Sequence, residues 1–262
     1  MTDEADNLPD PLLPSAALIT GGARRIGAAL VRDLAQRGWA VAVHCHTSAE
    51  AAEALCREIT QGGGSATPLQ ADLGDEAAVA GLIERAQQAL GPLGLLVNNA
   101  SIFDYDDAAT ASRETWQAHL DINLRAPFVL TQGFAAALPA EARGLVVNML
   151  DVRVWNLSPR YLSYTLSKSG LWTLTQTLAQ ALAPRIRVNG IGLGPTLPSK
   201  GQTAEEFDLR CSRLPLQNTP GLDEVCAALQ FLLSARSMTG QMVGLDGGDH
   251  LTRVDVPPGD GV

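Results

Sequence analysis

AALITGGARRIGAALVRDLAQRG, residues 16–38, contains an apolar run, a glycine-rich turn and a helical pattern in immediate succession. The run at 16–20 is bounded by glycines, which is typical of a buried strand. In the segment 26–38, apolar residues recur at helical spacing until Gly38, which predicts a helix with a glycine stop. This strand–turn–helix sequence predicts the first unit of a parallel α/β sheet.

The same alternation continues along the chain. Strands are predicted at 40–45, 65–73, 94–100, 143–150, 185–191 and 241–245. Helices are predicted at 48–64 with Ser48 as cap, 75–91 with Asp75 as cap, 113–138, 161–183 and 222–234. Such units predict the α/β class, as a single-domain, Rossmann-type, doubly wound sheet of about seven parallel strands with helices on both faces.

The domain boundaries follow from the same pattern. Residues 1–14 are expected to be a disordered lead-in, 15–250 a dinucleotide-binding catalytic domain, and 251–262 a C-terminal tail. The stretch near 195–220 is rich in Pro, Ser and Gly, and a long irregular stretch of this kind is typical of a substrate lid.

Composition excludes several classes of protein. The chain has 262 residues, of which 46% are hydrophobic and 18% charged, values typical of a globular protein. A net charge of −9 argues against a nucleic-acid partner, which requires a basic face. No apolar run approaches the roughly 18 residues of a membrane span, and the acidic start is unlike a signal peptide. Four cysteines without a CxxC pair indicate reduced thiols and a cytoplasmic location.

The glycine-rich turn between the first strand and helix predicts a phosphate site. Gly21 allows the tight turn, Gly27 allows close packing of helix on sheet, and the helix N-terminus offers free N–H groups to a pyrophosphate. One glycine motif is weak evidence, and an ordinary strand–helix turn is the alternative. The order of strand, turn and helix favours a dinucleotide.

The end of the second strand predicts which dinucleotide binds. An NAD enzyme places an acid there, about 20 residues beyond the turn, whereas this chain has His46, Thr47 and Ser48, with Arg24 and Arg25 in the turn. Guanidinium groups without a carboxylate favour a 2′-phosphate, hence NADP(H). The alternative is that the arginines are a solvated surface pair. His44 and His46 share a strand face, but no further ligands have metal spacing, so no metal is predicted.

Two further strand ends point to the same edge of the sheet. Asp72 and Leu73 follow the third strand and would close over an adenine ring, although Asp72 could instead cap a helix. Asn99, Ala100 and Ser101 follow the fourth strand, where ligands of open α/β sheets bind.

Tyr164 and Lys168 form the candidate catalytic pair. At spacing i, i+4 on a helix both side chains point the same way. Tyrosine can donate a proton to a substrate as a hydride arrives, and a neighbouring cation favours the phenolate. Because the chain has only two lysines against 17 arginines, a lysine at this position indicates a need for a compact ammonium.

Together these residues resemble the short-chain dehydrogenase/reductase family over nearly all of residues 15–250. The matching positions are the turn at 20–27, Asp72, residues 98–100, Asn123 before Pro127, Tyr164 with Lys168, residues 239–241 and residues 246–248. The resemblance implies that Lys168 also holds the nicotinamide ribose, that Asn123 holds a water of the proton relay, and that Thr196, after Leu193-Gly194, binds the carboxamide.

Three departures from the common family pattern resemble the pteridine reductase branch. Arg25 replaces a second glycine, Ser101 replaces another, and Asp151 replaces the serine thirteen residues before the tyrosine. This branch implies that Phe103 and the nicotinamide sandwich a pterin ring, that Ser101 hydrogen-bonds the ring, and that Arg25 reaches both phosphate and pterin. The alternatives are that Phe103 is plain core and that Asp151 is a neutral replacement in a carbonyl reductase.

The sequence therefore predicts an NADPH-dependent pteridine reductase with catalytic residues Asp151, Tyr164, Lys168 and Asn123. Alternatives are a dihydromonapterin or dihydrofolate reductase, a carbonyl reductase of a small ketone, and a non-catalytic NADP-binding regulator. An apolar stripe at Leu171, Leu174 and Leu178, with the family habit, suggests a homotetramer. The predicted cofactor residues are Gly21, Arg24, Arg25, Ile26, Gly27, His46, Thr47, Ser48, Asp72, Leu73, Asn99, Ala100, Ser101, Tyr164, Lys168, Gly194 and Thr196. The predicted substrate residues are Arg25, Ser101, Phe103, Asp151 and Tyr164.

Overall fold

The computed structural model describes residues 10–199 and 201–252. Seven parallel strands form one sheet in the order β3-β2-β1-β4-β5-β6-β7. The strands are β1 (Ala16–Ile19), β2 (Ala40–Cys45), β3 (Ser65–Gln70), β4 (Leu95–Asn98), β5 (Gly144–Asp151), β6 (Ile186–Leu193) and β7 (Met242–Leu245). The predicted doubly wound fold is confirmed. The strand order reverses between β1 and β4, so their carboxyl ends diverge there and leave a crevice.

Nine α-helices lie within the described residues and cover both faces of the sheet. They are α1 (Arg25–Gln36), α2 (Ala49–Gln61), α3 (Glu76–Ala80), α4 (Leu82–Leu90), α5 (Arg113–Leu120), α6 (Ala126–Ala137), α7 (Leu162–Leu182), α8 (Ala204–Cys211) and α9 (Leu222–Ser234). One apolar core lies between the sheet and α1, α2 and α9; the other lies under α4, α6 and α7. Because both faces are covered, the central strands are largely apolar, with Asn98, Asn148 and Asn189 as buried polar exceptions.

Several boundaries differ from the expectations. The helix expected at 75–91 is divided at Gly81 into α3 and α4, although Asp75 caps it as expected, accepting from Ala77 N and Ala78 N. The helix expected at 113–138 is interrupted by a π-helical turn, Asp121–Arg125. The strand expected at 65–73 ends at Gln70. Ser48 precedes α2, but its side chain makes no capping bond, so that part of the prediction is wrong.

The two ends of the domain also differ in part. Residues 10–14, expected to be disordered, pack on the domain, because Leu12 O accepts from Arg143 N and Asp10 forms an ion pair with Arg143. The expectations for residues 1–9 and 253–262 lie outside the described residues. The segment 195–220 is not wholly irregular, since it contains α8, capped by Thr203 and Glu206.

The stripe expected on the outside of α7 is only partly outward. Leu171 is buried in the core, whereas Leu174 and Leu178 are half-buried. The cysteines are free thiols, of which Cys45, Cys56 and Cys226 are buried. Among the helices of the described ranges, none combines the length and apolar character needed to cross a membrane.

Candidate active site

A cleft of about 350 Å³ opens at the crevice between β1 and β4. It is lined by Gly21, Arg24, Arg25, Ile26, Gly27, His44, His46, Asp72, Leu73, Asn99, Ala100, Ser101, Ile102 and Ile122. The fold thus brings together eleven of the residues that the sequence predicts for the cofactor. Thr47 and Ser48 are not among the lining residues, and Thr47 is exposed.

The glycine-rich turn has the shape that a phosphate cradle requires. Gly21 has a φ of +61°, and a side chain at Gly27 would come within 2.2 Å of the Gly21 carbonyl oxygen. Helix α1 begins next to it with no side-chain cap and no acidic residue in its first turn. Its first N–H groups are therefore available to a pyrophosphate. Arg25 itself has a φ of +53°, in the region that favours glycine.

His44 holds this turn from below. Its Nδ1 accepts a hydrogen bond from Gly21 N at 3.1 Å, and its Nε2 lies 3.2 Å from Ala71 O. The first bond requires an unprotonated Nδ1, so the proton is on Nε2 and is donated to the carbonyl. Burial lowers the pKa of the His44 ring to about 4, which keeps it neutral near pH 7. This is a structural role, one of the two that the sequence left open for the histidines.

Thr20 and Asn99 tie the turn to the end of β4. The Thr20 hydroxyl accepts from Asn99 N at 2.9 Å and Ala100 N at 3.0 Å, and Asn99 Nδ2 donates to Thr20 O at 2.8 Å. The Asn99 side-chain amide therefore holds the glycine-rich turn and the end of β4 together in the wall of the cleft. Thr20 was not predicted as a site residue, although its position at the end of a strand was a signal that could have identified it.

The far corner of the cleft carries the groups predicted for a 2′-phosphate. Arg24 and Arg25 are exposed, and His46 Nε2 lies 3.7 Å from Asp72 Oδ2. Asp72 also accepts from Gly74 N at 2.8 Å, so it lines the cleft and caps a turn at once. Arg25 Nη2 donates to Pro198 O at 3.0 Å, which links the glycine turn to the lid segment.

A second cleft, of about 140 Å³, lies beside Tyr164. Phe103, Asp151, Tyr164, Gly194 and Thr196 line it, as expected for substrate and nicotinamide residues. The other lining residues, not singled out from the sequence, are Arg153, Pro195, Leu197, Ser199, Gln202, Phe207 and Arg210. Phe103 lies at this cleft and is half-buried, so it is not plain core.

Asp151 and Tyr164 are joined directly. The Tyr164 hydroxyl donates to Asp151 Oδ2 at 3.0 Å, and Asp151 Oδ1 accepts from Arg153 N at 2.8 Å. Burial, and then the Asp151 carboxylate, raise the pKa of the Tyr164 phenol well above its usual range. The phenol therefore rests protonated, poised as a donor.

The expectation that Lys168 favours the phenolate is wrong for this arrangement. Lys168 is buried and its Nζ donates to Met149 O at 2.8 Å, while it lies 5.8 Å from the Tyr164 ring centroid. Burial lowers the pKa of Lys168 to about 8. The cation that lowers the pKa of the phenol is the Arg153 guanidinium, and burial with the Asp151 carboxylate outweighs it.

Asn123 lies in the π-helical turn and is fully buried. Its Nδ2 donates to Ile102 O and to Ser167 Oγ, and its Oδ1 accepts from Ile102 N and Ser101 Oγ. The side chain thus fixes the segment that carries Ser101 against α7. The water expected on Asn123 remains a prediction.

Phe103 stands in an aromatic cluster. Its ring stacks on Tyr161 with centroids 4.1 Å apart and planes 10° apart, and meets Tyr164 edge-on at 4.6 Å. The Arg153 guanidinium lies 5.6 Å from the Phe103 centroid and 5.0 Å from that of Tyr161. Tyr161 therefore covers one face of Phe103, and Tyr164 and Arg153 also pack around this ring.

The chain also matches a known family over residues 15–208, the short chain dehydrogenases. The chain belongs to that family. The family resemblance seen in the sequence is thereby confirmed.

Two solved structures of short chain dehydrogenases are notably similar. FolM alternative dihydrofolate reductase 1 from Brucella canis, complexed with NADP, is 47% identical with a TM-score of 0.90, over 95% of this chain and 98% of that one. The Brucella suis protein of the same description, also with NADP, is 49% identical with a TM-score of 0.89, over 92% and 97%. A 3-oxoacyl-[acyl-carrier-protein] reductase of Synechocystis is 31% identical over 243 residues, 90% of this chain and 97% of that one. Membership of the family therefore establishes the fold, but relatives on this fold are described as reductases of different substrates, so it does not establish the substrate.

Proposed function

We propose that this short chain dehydrogenase is an NADPH-dependent reductase of dihydropterin-type rings. The observation that carries the proposal is the bond from Tyr164 to Asp151 at 3.0 Å, in a cleft whose wall includes Phe103. A carboxyl group beside the tyrosine can exchange a proton with a ring nitrogen, which the reduction of a simple carbonyl does not need. An aromatic wall suits a flat heteroaromatic ring.

The residues of the larger cleft fit NADP(H). The uncapped N-terminus of α1 suits the pyrophosphate, and exposed Arg24 and Arg25, without an acid at the end of β2, suit the 2′-phosphate. When bound, NADPH supplies a hydride. The similarity to two proteins solved with NADP supports the same cofactor here.

Each residue of the smaller cleft then has a role in moving or holding protons. Tyr164 retains its proton until the ring nitrogen beside the reduced carbon becomes basic, and then donates it. Asp151 accepts from that hydroxyl at rest and can take up the replacement proton. Lys168, charged below about pH 8, offers its ammonium beside the nicotinamide ribose site. Ser101 and Arg25 hold the pterin edge, with the ring against Phe103.

Reduction of a folate by the same site is the second candidate. The observation that favours it is the similarity to two proteins described as alternative dihydrofolate reductases. Both candidates place the pterin ring in the same cleft and differ only in what the ring carries.

Two variants assayed on one pterin and one ketone test the proposal. Phe103→Ala should weaken pterin binding by about 1–3 kcal/mol, the scale of a lost stacking contact. Asp151→Ser restores the residue common in carbonyl reductases of the family, so it should depress pterin reduction and leave NADPH binding intact. A wild-type protein that reduces the ketone well and no pterin would refute the proposal and leave only the family.

The predicted homotetramer and cytoplasmic location also remain proposals. On α7, Leu166 is exposed, and Leu174 and Leu178 are half-buried, which leaves apolar surface for a second copy. Light scattering after size exclusion would measure the mass directly, and a monomer at micromolar concentration would contradict the prediction.

A further inference from the structure

Two arginines, Arg153 and Arg210, line the smaller cleft beside the residues proposed to move protons. Arg153 follows β5, and its side chain is 18% exposed, with Nε 3.7 Å from Asp151 Oδ2. Arg210 lies on the lid helix α8, with Nη2 3.7 Å from Asp249 Oδ2. Each is an ion pair longer than a hydrogen bond.

Neither guanidinium donates a hydrogen bond to another residue within 10–199 and 201–252. Some other arginines do donate side-chain hydrogen bonds: Arg187 donates to Leu232 O and Ala235 O, and Arg32 donates twice to Glu58. Guanidinium groups carry five donors each, in a fork that matches a carboxylate. The two cleft arginines therefore have donors to spare where a ligand binds.

The positions of these cations describe a path outward from the ring site. Arg153 lies 5.6 Å from the Phe103 centroid, against the wall where the ring would stack. Arg210 lines the same cleft and also an adjoining one of about 370 Å³, which Arg213 and Asp249 help to line. A substituent leaving the ring toward the adjoining cleft thus passes both guanidinium groups.

We propose that Arg153 and Arg210 form an anion subsite for a carboxylate carried on the substrate's side chain. The substrate class is then a pterin with an acidic tail, such as the glutamyl tail of a folate, in preference to a pterin with a neutral side chain. This inference rests on the proposed function. In a chain of net charge −9, two local cations offset the repulsion that an anionic substrate would otherwise meet.

Asp249 does not prevent this use of Arg210. Asp249 Oδ2 lies 3.7 Å from Arg210 Nη2, beyond hydrogen-bonding distance, so it leaves the donors of that guanidinium available. A substrate carboxylate that reaches Arg210 at hydrogen-bonding distance gains more than this longer ion pair provides.

The test compares kcat/KM for 7,8-dihydrofolate and 7,8-dihydrobiopterin, which share the ring and differ in the acidic tail. Arg210→Gln should lower kcat/KM for dihydrofolate about tenfold, chiefly through KM, and change that for dihydrobiopterin less than about twofold. Arg113→Gln is the control: it removes the same charge from an exposed arginine that lines neither of the two clefts. It should change either value less than about twofold.

Equal losses on both substrates in Arg210→Gln, or equal effects of Arg210→Gln and Arg113→Gln, would overturn the subsite. Binding separates this failure from failure of the proposed function. Folic acid and biopterin are titrated against the NADP⁺-loaded protein by tryptophan fluorescence, with no turnover needed. If the wild type reduces neither pterin, the proposed function fails, and a selective loss of folic acid binding in Arg210→Gln still supports the subsite. The subsite is overturned if Arg210→Gln binds both folic acid and biopterin as tightly as the wild type, or if it loses the binding of both.

Discussion

Between pH 7 and pH 4, the free energy of unfolding of the wild-type protein should fall by about 3 kcal/mol because of His44, and this loss should be absent in His44→Gln. The wild-type ring is buried and neutral, accepting from Gly21 N on one side and facing Ala71 O on the other. Protonation places a proton on Nδ1, which can then no longer accept from the glycine turn. Acid therefore weakens the glycine-rich turn by protonating a single side chain, that of His44.

The magnitude follows from the two pKa values. In the unfolded chain the His44 ring titrates near its usual 6.5, and burial lowers its pKa to about 4 in the folded protein. The folded state thus binds the proton more weakly, so the stabilising contribution is complete above about pH 6.5 and declines as the pH falls toward 4. At about 1.4 kcal/mol for each pH unit, the loss reaches about 3 kcal/mol at pH 4.

Urea denaturation followed by tryptophan fluorescence measures this loss at each pH, at one fixed protein concentration. His46→Gln is the control, because His46 is exposed at the end of the same strand, and its pH dependence should parallel that of the wild type. His44→Gln starts from a lower free energy of unfolding at pH 7 but declines less steeply. If wild type and His44→Gln decline in parallel, His44 is not the neutral buried ring described here.

Three further predictions concern cofactor and catalysis. NADPH should bind at least tenfold more tightly than NADH, about 1.4 kcal/mol, and Arg24→Ala with Arg25→Ala should erase the difference in fluorescence titrations; equal affinities in the wild type would contradict the 2′-phosphate site. Tyr164→Phe should lower kcat about 10²-fold while NADPH still binds, and wild-type turnover would exclude Tyr164 as the acid. Since Lys168 is charged below its pKa of about 8, kcat/KM should fall as pH rises through about 8, and Lys168→Arg should move that decline to higher pH; an unmoved decline would assign it to another group.

The sequence predicts the sheet well because each element is specified locally. The apolar runs of β1 and β4 and the glycine turn at Gly21 are short-range signals, and parallel units leave few possible strand orders. The residues of the turn at 21–27 and of the end of β4 therefore come together at one cleft as expected. The order of the strands in the sheet is enough to place these two groups of residues next to each other.

The parts that the sequence does not predict depend on depth and on distant contacts. The spacing of Tyr164 and Lys168 predicts that both lie on one helix face, but it does not predict how far water is excluded from them. Burial and the Asp151 carboxylate raise the pKa of the phenol, whereas the sequence led us to expect that it would be lowered. The stack of Phe103 on Tyr161 joins residues far apart in the chain and has no local signal. Helix α8 does have one, the capping box of Thr203 and Glu206.

The carboxylate at Asp151 restricts the chemistry further than the tyrosine does. Asp151 and Arg153 give the smaller cleft one anion and one cation 3.7 Å apart, with the phenol bonded to the anion. An ionised carboxylate favours the protonated form of any basic group beside it, and a ring nitrogen of a pterin is such a group. A ketone oxygen is far too weak a base to be protonated in its ground state, so it gains nothing from the same charge. Under the proposed function, we therefore expect the departure from serine at this position to favour substrates whose reacting ring can carry a proton, independently of the stacking proposed for Phe103.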